Sequence, residues 1–502
     1  MAHGTPPRVF HFPKITIVIL SLVAERLEDM REKWTKFGAF VAMSGLALAG
    51  SADVVDLWRQ PDRMPRSSDY RVSVDGASLD ILETPLPQNR LRPEERAPYS
   101  YGVFGCEGAV TVDVELISER MKLGAPVVSP DRLGIAVATT GSRRVRFTLP
   151  GSGNYVFEPD GRHRALVLSV FPPRKSGEPM DGDKGVVYVR PGVHRRPLTR
   201  VGAGETLYLA EGAILEGGVR LEGDGARLCG RGIVSGAVWP WRQGPKEITG
   251  DDYSCHMVHV TGRGVEIRDV TIWSSWTWTL ALDSVTNAVV DNVKILGGRV
   301  INDDGIDICR ARDVVVKNSF VRSQDDSIAV KWWCENAMVT NCILWSDSAN
   351  IARIGWECEK PPRRIDGVSL VDCDIQRLSL RPNKPTDFWC NAAFLVQAAN
   401  GATISNVLFD SCRFHALSPG DIFVAAKTIV VDIPECRETY RALEPGHVRG
   451  VRVQNIRLPA CVVKPASLLE SHDGRHLVEN VCFENVTGHA DPVRVVLKGG
   501  ED

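Results

Sequence analysis

From about residue 260 onward, apolar and polar positions alternate in short runs, and one eight-residue phrase keeps returning. It reads VEIRDVTI at 265–272, AVVDNVKI at 288–295, VVVKNSFV at 314–321 and AMVTNCIL at 337–344. It continues as VSLVDCDI at 368–375, ATISNVLF at 402–409, VRVQNIRL at 451–458 and HLVENVCF at 476–483. Alternation with period two predicts strands, and a recurrence of some tens of residues predicts a solenoid of stacked coils. Each phrase carries Asn or Asp at one fixed place: 269, 292, 318, 341, 372, 406, 455 and 480. The first four are 23, 26 and 23 residues apart, a length that suits three short strands and their turns. The repeated Asn or Asp is expected in a turn, capping exposed backbone. The wider later spacings imply loop insertions, where substrate contacts usually sit. A propeller is the rival architecture, but its blade signatures are missing.

Upstream, from about 66 to 185, the texture changes. VTVDVEL, GIAVATT, RRVRFTL, NYVFEP and ALVLSVF are short alternating runs broken by Gly, Pro, Ser and Asp. Such runs predict an antiparallel β-sandwich. The stretch 185–217 reads as the first coils closing onto it, so the expected division is 53–185 for a sandwich domain and 186–502 for a right-handed parallel β-helix.

At 502 residues the chain is long enough for two such domains, and a net charge of −2 argues against a nucleic-acid surface. No run reaches the length of a membrane span. From Met30 the order is basic residues, a short apolar run, then small residues at Ala47, Ala49 and Ala52, the pattern of a secretory signal. Met30 is the expected start, residues 1–52 an upstream segment plus signal, and the mature protein secreted or periplasmic. A buried helix is the alternative reading of that apolar run. Thirteen cysteines without a Cys-x-x-Cys pair suggest no metal site. Cys342, Cys373 and Cys482 fall where other repeats carry Val, Ile or Ser and read as small core fillers.

Two adjacent coils hold the unusual residues: Asn302-Asp303-Asp304-Gly305-Ile306-Asp307-Ile308 and Gln324-Asp325-Asp326-Ser327-Ile328-Ala329-Val330-Lys331. Matching Ile306 to Ile328 sets Asp304 over Asp326 and Asp303 over Asp325. Stacked carboxylates would lie about one strand spacing apart, near 4.8 Å, and repel one another. A carboxyl kept protonated can then donate a proton while its neighbours orient water, which is the division of labour glycoside hydrolysis requires. A single Asp at a turn more often caps backbone, and clustered carboxylates can also hold Ca²⁺. Several in register on neighbouring coils favour chemistry.

These motifs resemble those of polygalacturonases of glycoside hydrolase family 28 and of the related dextranase and isopullulanase family 49. The resemblance implies an inverting glycosidase on a parallel β-helix, needing no cofactor and acting on a polysaccharide or oligosaccharide. It implies Asp325 as general acid and Asp304 and Asp326 as the pair that activates water. Two departures bear on substrate. Where polygalacturonases carry Gly-His-Gly, this chain has Ser346-Asp347-Ser348-Ala349-Asn350, and where they carry Arg-x-Lys it has 393–397, AFLVQ, without a cation. A site lacking that grip suits a neutral sugar better than a uronate. Ile343-Leu344-Trp345 and Ile354-Gly355-Trp356, with the preceding sandwich, look like the dextranase layout, although the 21-residue Asp304–Asp325 spacing is closer to the polygalacturonases.

Trp273, Trp276, Trp278, Trp332, Trp333, Trp345 and Trp356 lie on the surrounding coils and could stack on sugar faces, though any one of them is more often core. The substrate-binding candidates are Asp303, Asp307, Lys331, Arg353, Trp276, Trp278, Trp332, Trp345 and Trp356. Lys331, Arg353, Glu357 and Glu359 either line flanking subsites or face solvent. The expected substrate is a neutral α-glucan such as dextran or pullulan, with pectin as the alternative. A non-catalytic carbohydrate-binding β-helix is the rival of another class, and a uronate lyase or epimerase would need a cation that the motifs do not supply. Export carries its own test: sequencing the N-terminus of protein secreted by its host should find cleavage between Ala49 and Asp53, and an intact 30–52 segment would refute it.

Overall fold

The computed structural model describes residues 55–85, 98–160, 164–248, 256–378, 392–417, 422–430, 442–459, 464–489 and 493–497. The signal-like segment and its cleavage site lie outside the described residues. Twenty-six strands, from Val186–Val189 to Arg494–Leu497, follow one another in a single winding sheet whose named pairings are all parallel. Among the described residues no α-helix occurs, so none is long and apolar enough to cross a membrane. The solenoid expected from the repeat is present.

One coil shows how the sequence pattern becomes register. Ile306–Lys317 and Phe320–Ser323 form it, and Ile328–Thr340 and Ile343–Ser346 form the next. Ile306 pairs with Ile328 and Phe320 with Ile343. The inward positions therefore stack like on like: Leu280, Ile306, Ile328, Ala352, Phe394 and Val424 form one fully buried column. Burying one such aliphatic side chain contributes roughly 1.5–3 kcal/mol. Phe394 stacks on Phe409 with ring centroids 4.2 Å apart, which fills the wider coils towards the C-terminal end.

The repeated Asn or Asp does more than cap a turn. All eight positions, from Asp269 to Asn480, adopt the left-handed conformation, with φ between 49° and 61°. Asn and Asp tolerate that conformation better than other side chains with a Cβ, which explains why no β-branched residue stands there. Their side chains form a ladder from coil to coil. Asn292 donates to Asp269 at 2.6 Å, Asn318 to the Asp291 carboxylate at 2.7 Å, and Asn341 to Asn318 at 2.8 Å.

The preceding region contains two sheets. One is Tyr70–Val74, Ala77–Leu79, Val110–Leu116, Arg144–Leu149 and Ala138–Gly141, antiparallel throughout. The other contains Ser100–Cys106, Gly153–Glu158 and Leu166–Phe171, and here one pairing is parallel: Leu166–Phe171 runs alongside Ser100–Cys106. That pairing brings Tyr99, Tyr101, Val103 and Phe171 together against Trp273, Leu296, Phe320, Ile343 and Trp345 of the β-helix, so the sheet is docked by a buried aromatic face. Tyr99 Oη donates to the Gly297 carbonyl at 3.0 Å and Tyr101 Oη lies 2.9 Å from Thr271 Oγ1.

None of the nine described cysteines is disulfide-bonded. Cys342 and Cys373 are buried core fillers as expected, whereas Cys482 is exposed, because the alternation places it on the outer face of Val478–Thr487.

The ladder has a measurable consequence. Asn318→Ala removes both amide contacts and leaves a Cβ residue in a left-handed position, so it should cost about 1–3 kcal/mol, whereas Asn318→Gly should cost less because only the contacts are lost. Urea unfolding midpoints would show this order, and equal midpoints for the two variants would argue against the conformational part.

Candidate active site

The two acidic segments are turns that leave one coil's last strand and enter the next coil's first strand. Thr279 N donates to the Asp304 carbonyl, Gly305 N to the Asp326 carbonyl, and Ser327 N to the Asn350 carbonyl, at 2.9, 2.8 and 2.9 Å. The parallel register thus runs back through the turns and sets Trp278, Asp304, Asp326 and Asn350 in one column. Gly305 is required by this approach, since a Cβ there would stand 2.5 Å from the Ser327 carbonyl oxygen.

Each carboxylate has a distinct environment. Asp304 is buried, and its Oδ2 accepts from Lys331 Nζ at 2.9 Å. Burial pushes its carboxyl well above the usual range, Lys331 opposes this, and Asp307, Asp325 and Asp326 reinforce it. Asp326 accepts from Asn350 Nδ2 at 2.6 Å and Asn350 N at 3.1 Å, with Arg353 Nη1 at 3.7 Å. Asp325 is the least buried of the five aspartates, and Asn302 Nδ2 donates to its Oδ2 at 3.4 Å. Ser323 and Ser346 hold its carbonyl at 2.8 and 3.0 Å.

Several expected substrate contacts are displaced into structural roles. Asp303 is fully buried: its Oδ2 accepts from Gly298 N at 2.5 Å and its Oδ1 from Gln324 N at 2.6 Å, so it ties one acidic turn to the next. Asp307 is also fully buried, with Lys331 Nζ 2.9 Å from its Oδ1, an ionic approach rather than a well-aimed hydrogen bond. Lys331 itself is buried under Trp278, its Nζ 3.4 Å from the ring centroid. Trp276 is fully enclosed in the β-helix core, and Trp273 and Trp345 are buried against the sandwich. Trp278 stacks on His256 at 4.7 Å. Trp356 is covered by Arg353 at 4.3 Å, and Arg353 Nη2 donates to Gln397 Oε1 at 3.0 Å. Trp332 is half-buried, with Arg310 and Lys360 at 4.8 and 4.4 Å from its ring, and Trp333 is half-buried too. The coils are wide enough to swallow an indole, which periodicity alone does not reveal.

One residue beside the aspartates is not singled out by the motifs. Asn350 lies 24 residues after Asp326, and extending the Asp304–Asp326 column by one more coil would have found it. Glu357, a candidate for a flanking subsite or for solvent, has its Oε2 3.1 Å from Lys331 Nζ. Among the described residues no group of three or more His, Cys, Asp or Glu converges as a metal site. The Lys331 ammonium stands where a cation between Asp304 and Asp307 would stand.

The sandwich supports the site from behind. Arg322, immediately upstream of the second acidic turn, lies 4.0 Å from the rings of both Tyr99 and Trp345, and its Nε meets Asp347 Oδ2 at 3.1 Å.

Comparison with known proteins supports the fold. Residues 211–377 match the family model described as glycosyl hydrolases family 28, a span that contains every acidic residue of the site. No curated protein matches the chain by sequence. Among solved structures, Dex49A from Penicillium minioluteum shares 13% identity at a TM-score of 0.53, covering 88% of this chain and 96% of that one, which supports the fold. A family 28 exopolygalacturonase from Yersinia enterocolitica shares 13% identity at a TM-score of 0.47, covering 90% and 94%.

Burial raises the Asp303 and Asp307 carboxyls to about 7 each. An unfolded Asp titrates near 3.9, so between about pH 4 and 7 the folded chain binds more protons than the unfolded one, and stability must fall as pH rises through that window. Calorimetry should show the melting temperature dropping from pH 5 to pH 8, less steeply for Asp307→Asn. A melting temperature that climbs over that range would contradict the burial argument.

Proposed function

We propose that the chain, a glycosidase built on a parallel β-helix, hydrolyses a neutral α-glucan such as dextran or pullulan with inversion at the anomeric carbon. Asp325 protonates the leaving oxygen, and Asp304 and Asp326 hold and deprotonate the attacking water. The exposure of the aspartates supports this assignment, since a general acid must reach the scissile oxygen and Asp325 is the accessible one. Asp304 and Asp326 stand at the same register position on adjacent coils, a pair able to grip one water.

The observation that carries the substrate reading is the state of the two cations. Lys331 is held by Asp304, Asp307 and Glu357, and Arg353 by Asp326, Gln397 and the Trp356 ring. Neither has its charge available to a uronate, and the surrounding aspartates would repel one. A neutral sugar meets no such penalty. Dex49A, whose layout this chain shares, is a family 49 dextranase. The family 28 match favours the second reading, a galacturonan hydrolase, because polygalacturonases belong to that family.

One experiment separates the readings. The protein is incubated with dextran, pullulan and polygalacturonate, and the first-formed reducing end is followed by NMR. Release from a neutral glucan with inverted configuration is expected, and Asp325→Asn should lower kcat by about 10²–10⁴-fold while glucan binding persists. Cleavage of polygalacturonate alone would give the second reading, retention would discard the mechanism, and binding without cleavage would leave only a carbohydrate-binding protein.

A further inference from the structure

Lys331 is the most enclosed cation of the site, with 4% of its side chain exposed. Asp304 Oδ2 and Asp307 Oδ1 are each 2.9 Å from its Nζ, Glu357 Oε2 is at 3.1 Å, and the Trp278 ring centroid is at 3.4 Å. Three carboxylates and an aromatic face leave the ammonium no path to a sugar hydroxyl. Its position on the strand Ile328–Thr340 is fixed by pairing with Cys309, and behind Trp278 the ring is backed by His256.

We propose that Lys331 is a positioning residue whose ammonium, clamped by Asp307, Glu357 and Trp278, keeps Asp304 ionised as the base that activates water. This deepens the hydrolytic reading above and rests on it. The physical need is plain. A carboxylate as buried as Asp304 is costly to ionise unless a counter-charge touches it, and Lys331 is the one cation within ion-pairing distance of it among the described residues.

The groups facing the pair come from every neighbouring element. Asp307 stands on the same coil, Asp325 and Asp326 on the next turn, and Glu357 beyond the strand Ala352–Gly355. Asp307, Asp325 and Asp326 oppose ionisation of Asp304, so Lys331 works against a local excess of negative charge. Cys309 also faces Lys331, and burial pushes its thiol well up, so it stays neutral. His256 is held well below its usual range by burial and adds no charge at neutral pH. Three carboxylates more than offset the burial of Lys331 and hold it protonated above the ordinary lysine range.

Opposite substitutions should move the acidic limb of the kcat/KM profile in opposite directions. Lys331→Met should shift that limb upward by about one pH unit or more and lower turnover at neutral pH at least about tenfold, with partial recovery at higher pH. Lys331→Arg should restore the limb while leaving some loss in kcat, because the charge returns in a different shape. Asp307→Asn should shift the limb downward, since a like charge next to Asp304 is removed. A substrate-binding lysine would instead raise KM and leave the limb in place, and that result, or shifts of the same sign in Lys331→Met and Asp307→Asn, overturns the inference. If Lys331→Met does not fold, Asp307→Asn decides by the direction of its limb. The carboxyl carbon resonance of Asp304, identified by its loss in Asp304→Asn, reads the same shifts without turnover. A wild-type protein that fails to hydrolyse therefore sinks the hydrolytic reading, retention sinks the inverting mechanism, and an unmoved titration sinks this inference alone.

Discussion

In a parallel stack each backbone N–H of one coil binds a carbonyl of its neighbour, so a residue is held about 4.8 Å from its equivalent on the next coil. Ile306 on Ile328 is the register that matters here, and the hydrogen bonds of Gly305 and Ser327 carry it back into the turns. Asp304 cannot avoid Asp326 without breaking those bonds. The left-handed Asn/Asp ladder enforces the same repeat at another corner of each coil, so a slip of register would break both ladders at once. The fold thus compels the close approach of acids that a looser architecture would relax.

Close approach alone would favour neutral carboxyls, and the surroundings divide the acids into separate states. Asp303 is tied to backbone amides, Asp304 and Asp307 share one ammonium, Asp326 is met by Asn350, and Asp325 is left nearest the opening. The sandwich contributes from outside the coils. Its Tyr99 hydroxyl holds the Gly297 carbonyl at the entrance to the first acidic turn, and its ring packs on Arg322 beside the second. Sheets far from the aspartates in sequence therefore stiffen the turns that present them.

The sequence made the backbone legible and the side-chain environments much less so. Period-two alternation and the recurrent Asn or Asp were enough for the solenoid, and four of the five upstream runs are strands while GIAVATT is one only from Ala138 onward. Matching Ile306 with Ile328 was enough for the Asp304–Asp326 stack. What alternation cannot say is whether an outward or turn position meets solvent or another part of the chain. Trp345 points out of its coil and is buried by the sandwich, while Trp276 turns into a wide core. Lys331 looks like a substrate grip in sequence because its three partners, Asp304, Asp307 and Glu357, lie 27, 24 and 26 residues away. The parallel Leu166–Phe171 pairing was hidden for the same reason: its partner strand is some sixty residues upstream.

Strand alternation would treat Asp303 and Asp325 as equivalents, each one position before the stacked pair. Their environments show why they diverge. Asp303 has amide donors from both its own turn and the next, so its carboxylate is turned inward and immobilised. Asp325 occupies the same place one coil later, where it keeps partial exposure and its own backbone carbonyl is pinned by Ser323 and Ser346. The pinned backbone fixes where the Asp325 side chain starts without enclosing its carboxyl. Asp304 and Asp326, by contrast, are buried and held by fixed partners. Two coils with nearly the same acidic motif thus yield one enclosed carboxylate and one partly exposed one, and the difference comes from which backbone amides each carboxylate can reach.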